Sequence, residues 1–112
     1  MINRNKLIEK FIGNLSNAII HKILEKAINN KEIASKYEKE LTTSFEIAKK
    51  YRGKINPVNT KLPDKDIEYI KKKIITKVKN ELLLRINKGY EHINLDLIEE
   101  QIDKNLKDMS VI

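Results

Sequence analysis

His92 and Asp96 stand four residues apart, and Glu99, Glu100 and Asp103 follow them. An imidazole and carboxylates at helical spacing could hold a divalent cation, and Tyr90 beside His92 could take part in acid–base work. The pattern lacks what that chemistry needs. The Glu-x-x-His pairs of carboxylate-bridged metal bundles are missing, and one imidazole before a run of acids is the ordinary pattern of a solvated face. His21, the only other histidine, falls on the polar side of a helix and reads as a surface residue. There is no cysteine, so thiolate metal sites, disulfides and cysteine nucleophiles are excluded. No nucleophile stands with a base, and no glycine-rich stretch could cradle a phosphate. The expectation is a non-enzymatic protein with no catalytic residue, no metal and no cofactor.

The remaining residues with a chemistry of their own are cations. Lys71, Lys72, Lys73, Lys77 and Lys79 form a cluster, and Arg52-Gly53-Lys54 forms a smaller one. Both could neutralise phosphates, which makes Arg52, Lys54, Lys72, Lys73, Lys77 and Lys79 the candidate nucleic-acid contacts. On a helical wheel, Lys72 and Lys79 lie on one flank of an apolar stripe, Lys73 and Lys77 on the other, and Lys71 near the stripe itself. That is how lysines splay around a core face. Arg52-Gly53-Lys54 reads equally as the end of a helix, with cations matched to its dipole.

The net charge is +7, carried by 20 lysines and 3 arginines. Lysine, isoleucine and asparagine together make 51 of the 112 residues, and all three use A/T-rich codons. Basicity alone therefore does not call for an acidic partner. Its distribution is more informative: Tyr90 to Ile112 carry 2 basic and 6 acidic side chains, against 21 and 10 before them. An acidic terminal helix is a natural complement to the lysine-rich one, within the chain or across a dimer.

These residues must be positioned by helices. Ile8, Phe11, Ile12, Leu15, Ala18, Ile19 and Ile23 recur at steps of three and four, which predicts a helix over about residues 5–28. Asn29 followed by Glu32 resembles a capping box that starts a second helix, about 31–51. Thr43, three residues before Glu46, offers an alternative start. The only prolines, Pro57 and Pro63, lie in a segment without helical period, so residues 52–63 read as a linker. Asp64 is the expected N-cap of a third helix, about 65–87, with Ile67, Ile70, Ile74, Val78, Leu82 and Ile86 as its buried stripe and Gly89 closing it. A fourth, about 95–108, buries Leu95, Ile98, Ile102 and Leu106.

Within the second helix, Glu32-Ile33-Ala34-Ser35-Lys36-Tyr37 returns two heptads later as Glu46-Ile47-Ala48-Lys49-Lys50-Tyr51. A DNA-reading helix-turn-helix would want a glycine-like turn and apolar residues where the chain has Glu38, Lys39 and Ser44. A heptad seam fits better: Ala34, Tyr37, Leu41, Ser44, Ala48 and Tyr51 alternate steps of three and four, with Ile33 and Ile47 beside them. The fold class expected is all-α, a four-helix-bundle-like single domain over residues 1–112, its two helical hairpins joined by the Pro/Gly linker. Its expected role is a protein-interaction or oligomerisation module using Ala34, Tyr37, Leu41, Ala48 and Tyr51 toward a protein partner or a second copy. Nucleic-acid binding is the alternative. No apolar run approaches the length of a membrane span, and the N-terminus, with Glu9, Lys10, Gly13 and Asn14 inside it, reads as mature sequence. A soluble, cytoplasmic protein is expected.

Overall fold

The first helix is apolar on more than one face, and the architecture follows from that. The computed structural model describes residues 3–27, 31–56 and 60–112 and folds them into four helices, α1 (Arg4–Ala27), α2 (Lys31–Ile55), α3 (Asp64–Asn87) and α4 (Leu97–Asp108). The stripe expected on α1 is buried throughout, and Ser16, Ile20 and Leu24 are buried with it. At 100° per residue these positions cover about two-thirds of the helix circumference, too wide for one neighbour. α1 accordingly packs against α2, α3 and α4, whereas α2 and α3 do not pack against each other among the described residues. α1 starts from Asn3, whose Oδ1 accepts the Lys6 N–H at 2.9 Å.

Cross-helix contacts fix the directions. Lys10 meets Tyr51 and His21 meets Glu40, so α2 runs antiparallel to α1. Arg4 pairs with Asp66, and Glu9 accepts the Tyr69 hydroxyl, so α3 runs parallel to α1. Lys71 Nζ lies 3.3 Å from Asp103, while Lys79 shares a cleft with Asp96 and Glu99, so α4 returns antiparallel to α3. One core draws on all four helices, including Phe11, Leu15, Ala48, Ile70, Ile74, Leu82, Ile102 and Leu106.

Several boundaries differ from those the sequence predicts. α2 continues through Arg52, Gly53 and Lys54 to Ile55, because Arg52 is held by partners across the molecule. Thr42 and Thr43 start no new helix; their hydroxyls donate to the Glu38 and Lys39 carbonyls one turn back. Pro63, not Asp64, occupies the N-cap of α3, and its carbonyl accepts the Asp66 and Ile67 N–H groups. α4 begins at Leu97, since the Asn94 side chain takes the Asp96 N–H and Leu95 and Asp96 form a turn. Ile86 is 36 % exposed and outside the buried stripe. A helix of 12 residues covers roughly 18 Å of the roughly 36 Å length of α3, so the stripe runs past its cover. The expected Asn29–Glu32 capping box falls on Asn29, which lies outside the described residues.

Two helix ends close in the same way. After α3, Gly89 has φ 98°, its N–H donates to the Ile86 carbonyl and the Tyr90 N–H to that of Arg85. After α4, Ser110 has φ 58°, its N–H donates to Lys107 and the Val111 N–H to Leu106, with Val111 and Leu106 both fully buried. This is the Schellman geometry, and glycine suits its left-handed position while serine is strained there. Ser110→Gly should therefore raise unfolding stability by about 0.5–1 kcal/mol, seen as a higher urea midpoint at unchanged m. An unchanged or lower midpoint would show that no strain is held at Ser110.

Candidate nucleic-acid interface

The seam residues of α2 are used inside the chain. Ala48 is fully buried against α1, and Ala34, Tyr37, Leu41 and Tyr51 are half-buried along the same side. Leu41 and Phe45 wall a cleft floored by Ala18 and closed on its far side by Gln101 and Asn105 of α4. The heptad spacing thus registers α2 on α1. Ile33 and Ile47, beside the seam, are 45 % and 38 % exposed.

His21 is not at the surface. It sits half-buried between α1 and α2, its ring centroid 5.6 Å from that of Tyr37 and its Nε2 3.2 Å from Glu40. Burial pulls the imidazole below its usual value, Glu40 offsets part of this, and Arg85 of α3 adds to the lowering. The folded-state value therefore lies below the unfolded one, and the unfolded chain takes up the extra proton more readily. This contribution to stability is present above the unfolded value and is lost progressively as pH falls from there through the folded value. Between about pH 7 and pH 5, the wild type should lose more stability than His21→Gln in parallel urea titrations. Parallel losses would mean that His21 titrates alike in both states. His92 is exposed near Glu91, with φ 65°. Among the described residues, no group of three or more histidine, aspartate or glutamate side chains is placed to hold a metal ion.

The cations divide by helix face. Lys71 is paired with Asp103, and Lys79 lies beside Asp96 and Glu99, so these two face the acidic α4. Lys72 is exposed. Arg52 is 1 % exposed and offers no surface charge. Its Nε donates to the Met109 carbonyl at 3.0 Å, one terminal nitrogen to the carbonyl and side-chain oxygens of Asn56, and the other to the carbonyls of Thr60 and Ser110 at 2.6 and 2.7 Å. No carboxylate takes part in these bonds. The guanidinium sits where the C-terminal ends of α2 and α4 meet, and the partial negative charge of both ends faces it. Burial still pulls it below its usual value.

The other lysines come together. Lys73 Nζ lies 5.7 Å from the centre of the Tyr69 ring, and Lys77 Nζ reaches over Gly13 of α1, 3.7 Å from where a Cβ would stand. Across α1, Lys54 and Lys10 lie 5.6 and 5.8 Å from the centre of the Tyr51 ring. Because α2 and α3 flank α1 without packing on each other, the stripe Lys6, Lys10, Gly13 and Asn17 is not covered over. One face thus carries Lys10, Lys54, Lys73 and Lys77 with Tyr51 and Tyr69 between them. The acids of α4 lie on other sides of α1 and α3. Of these residues Lys10, Gly13 and Tyr69 are not candidates from the sequence. The four-, three- and four-residue steps of Lys6, Lys10, Gly13 and Asn17 are legible there, but the helices beside that stripe are not. Comparison with family models, with curated protein sequences and with solved structures returns no match, so this geometry is what bears on function.

Proposed function

We propose that the protein is a non-enzymatic helical module that binds the phosphate backbone of nucleic acid with little sequence selectivity. The observation that supports this reading is the gathering of Lys10, Lys54, Lys73 and Lys77 from three helices onto one face. Phosphate contacts need clustered charge on one surface, and lysine binds phosphate as a point charge. The test is binding of a labelled oligonucleotide across a salt series. Four neutralised phosphates predict a log–log slope of about −2.8 on a single strand and about −3.6 on a B-form duplex, with affinity at physiological salt in the non-specific range of about 10⁻⁴ to 10⁻⁶ M. No salt-dependent binding of any nucleic acid would dispose of the reading.

A second reading, self-association, draws on a different observation. Leu83, Leu84, Ile86 and Tyr90 are 37 %, 54 %, 36 % and 41 % exposed at the end of α3 that α4 does not reach. A second copy of the chain covering this end would give a dimer in sedimentation that Leu84→Glu dissociates. A monomer at high concentration would exclude it.

A further inference from the structure

We infer that the lysine face takes single-stranded nucleic acid in preference to duplex, an inference that rests on the phosphate-binding reading above. The face is a trough. Its floor is α1, where Gly13 contributes no side chain and Lys10 and Asn17 are exposed. Its walls are α2, with Tyr51 and Lys54, and α3, with Tyr69, Lys73 and Lys77. Packed helices stand about 8–10 Å apart, so the axes of two walls flanking one helix lie at most about 16–20 Å apart, and helix diameters of about 10–12 Å leave between them a strip on the order of a single strand wide. A duplex, whose major groove alone admits a helix, reaches the rims and not the floor. Lys10 and the floor of the trough are then available only to a chain that can enter it.

The aromatic rings point the same way. Tyr69 is 42 % exposed and held in place by its hydroxyl bond to Glu9, so its ring is both accessible and fixed. Tyr51 is half-buried with two lysines over it and serves to hold them, so Tyr69 is the ring left open to a base. Lysines along a basic trough with one accessible ring among them let phosphates sit on ammonium groups while a base stacks on the ring. Duplex bases are already stacked and gain nothing from these rings.

The experiment compares a labelled dT oligonucleotide, a duplex of equal length, heparin as a polyanion without bases, and poly-glutamate, with the full chain at one salt concentration. Single strand should bind about tenfold tighter than duplex. Tyr69→Ala should weaken single-strand binding about fivefold or more and leave heparin binding unchanged, while Tyr69→Phe, which keeps the ring and loses only its tie to Glu9, should weaken it by less. Tyr69 lies at the surface, and wild-type melting of the variant confirms the fold. Equal or tighter duplex binding, or equal losses toward dT and heparin, overturns the single-strand inference and leaves phosphate binding standing. Poly-glutamate binding as tight as that of dT would identify an acidic protein segment as the occupant and overturn it too. Failure of all the anions removes the phosphate reading itself.

Discussion

Arg52→Met should destabilise the protein by about 3 kcal/mol or more, although no charged partner is lost. The side chain joins three segments: the end of α2 through Asn56, the approach to α3 through Thr60, and the tail after α4 through Met109 and Ser110. Methionine fills much of the volume but leaves those carbonyls, that of Met109 buried and the others partly so, without their donor, and hydrogen bonds to a charged group contribute about 1.5–3 kcal/mol each. Removing the desolvation cost of a buried cation offsets part of the loss, which is why the expected net effect is well below the sum. In a chain of this size, about 3 kcal/mol corresponds to a fall in Tm of very roughly 10–20 °C. Arg52→Lys should recover less than half, because an ammonium has three donors and cannot span the carbonyls with a planar fork. Amide exchange offers a second readout: the Leu62 N–H, which donates to the Val111 carbonyl at 3.3 Å, should lose protection in both variants. A methionine variant within about 1 kcal/mol of wild type would show that these bonds only replace equivalent ones to water.

Arg52 also marks where sequence reasoning stops. A cation in the last turn of a helix is legible as a partner for carbonyls, and Arg52 does bond to the end of its own helix. Its other acceptors, Met109 and Ser110, lie 57 and 58 residues away. Separations of that kind are set by how helices pack, and no local pattern encodes them. The same limit applies to the heptad seam of α2. Its spacing specifies that Ala48 and Tyr51 face a helix but is silent on whether that helix belongs to the same chain. α1 is the more legible element because its breadth of apolar residues already implies several neighbours. His21 was obscured for the opposite reason: a polar residue on the polar side of α1 is covered by α2 and α3, which arrive from elsewhere. The tilt of Lys73 and Lys77 away from Lys72 and Lys79 is legible from the helical wheel. What lies opposite each pair, α1 and Gly13 for one and the acids of α4 beside Lys79, is a tertiary fact.

That division of the lysines gives the second large effect. Reversing Lys10, Lys54, Lys73 and Lys77 to glutamate should weaken single-strand binding by about 10²-fold or more near 0.15 M salt, since four contacts at a slope of about −2.8 account for that much counterion release. Reversing Lys71, Lys72, Lys79 and Lys104 changes net charge by the same amount, yet should cost far less. Lys71 is already paired with Asp103, Lys79 borders Asp96 and Glu99, and Lys104 lines the cleft between α2 and α4. Long-range repulsion affects both variants alike and is screened beyond about 8 Å at physiological ionic strength, so the difference between them reports the face and not the total charge. All four residues of the first set except Lys77, which rests over Gly13, have exposed ammonium groups above aromatic rings, and each such contact contributes about 0.5–1 kcal/mol. The first variant should consequently lose some stability while remaining folded, which a thermal melt on the same preparation can establish. The salt series then separates the two explanations of a binding loss. If the face binds phosphates, the slope on a single strand falls from about −2.8 toward zero in the first variant and stays near its wild-type value in the second. Equal losses and equal slopes in both variants would mean that net charge alone attracts nucleic acid, and that the convergence of these four lysines plays no part in it.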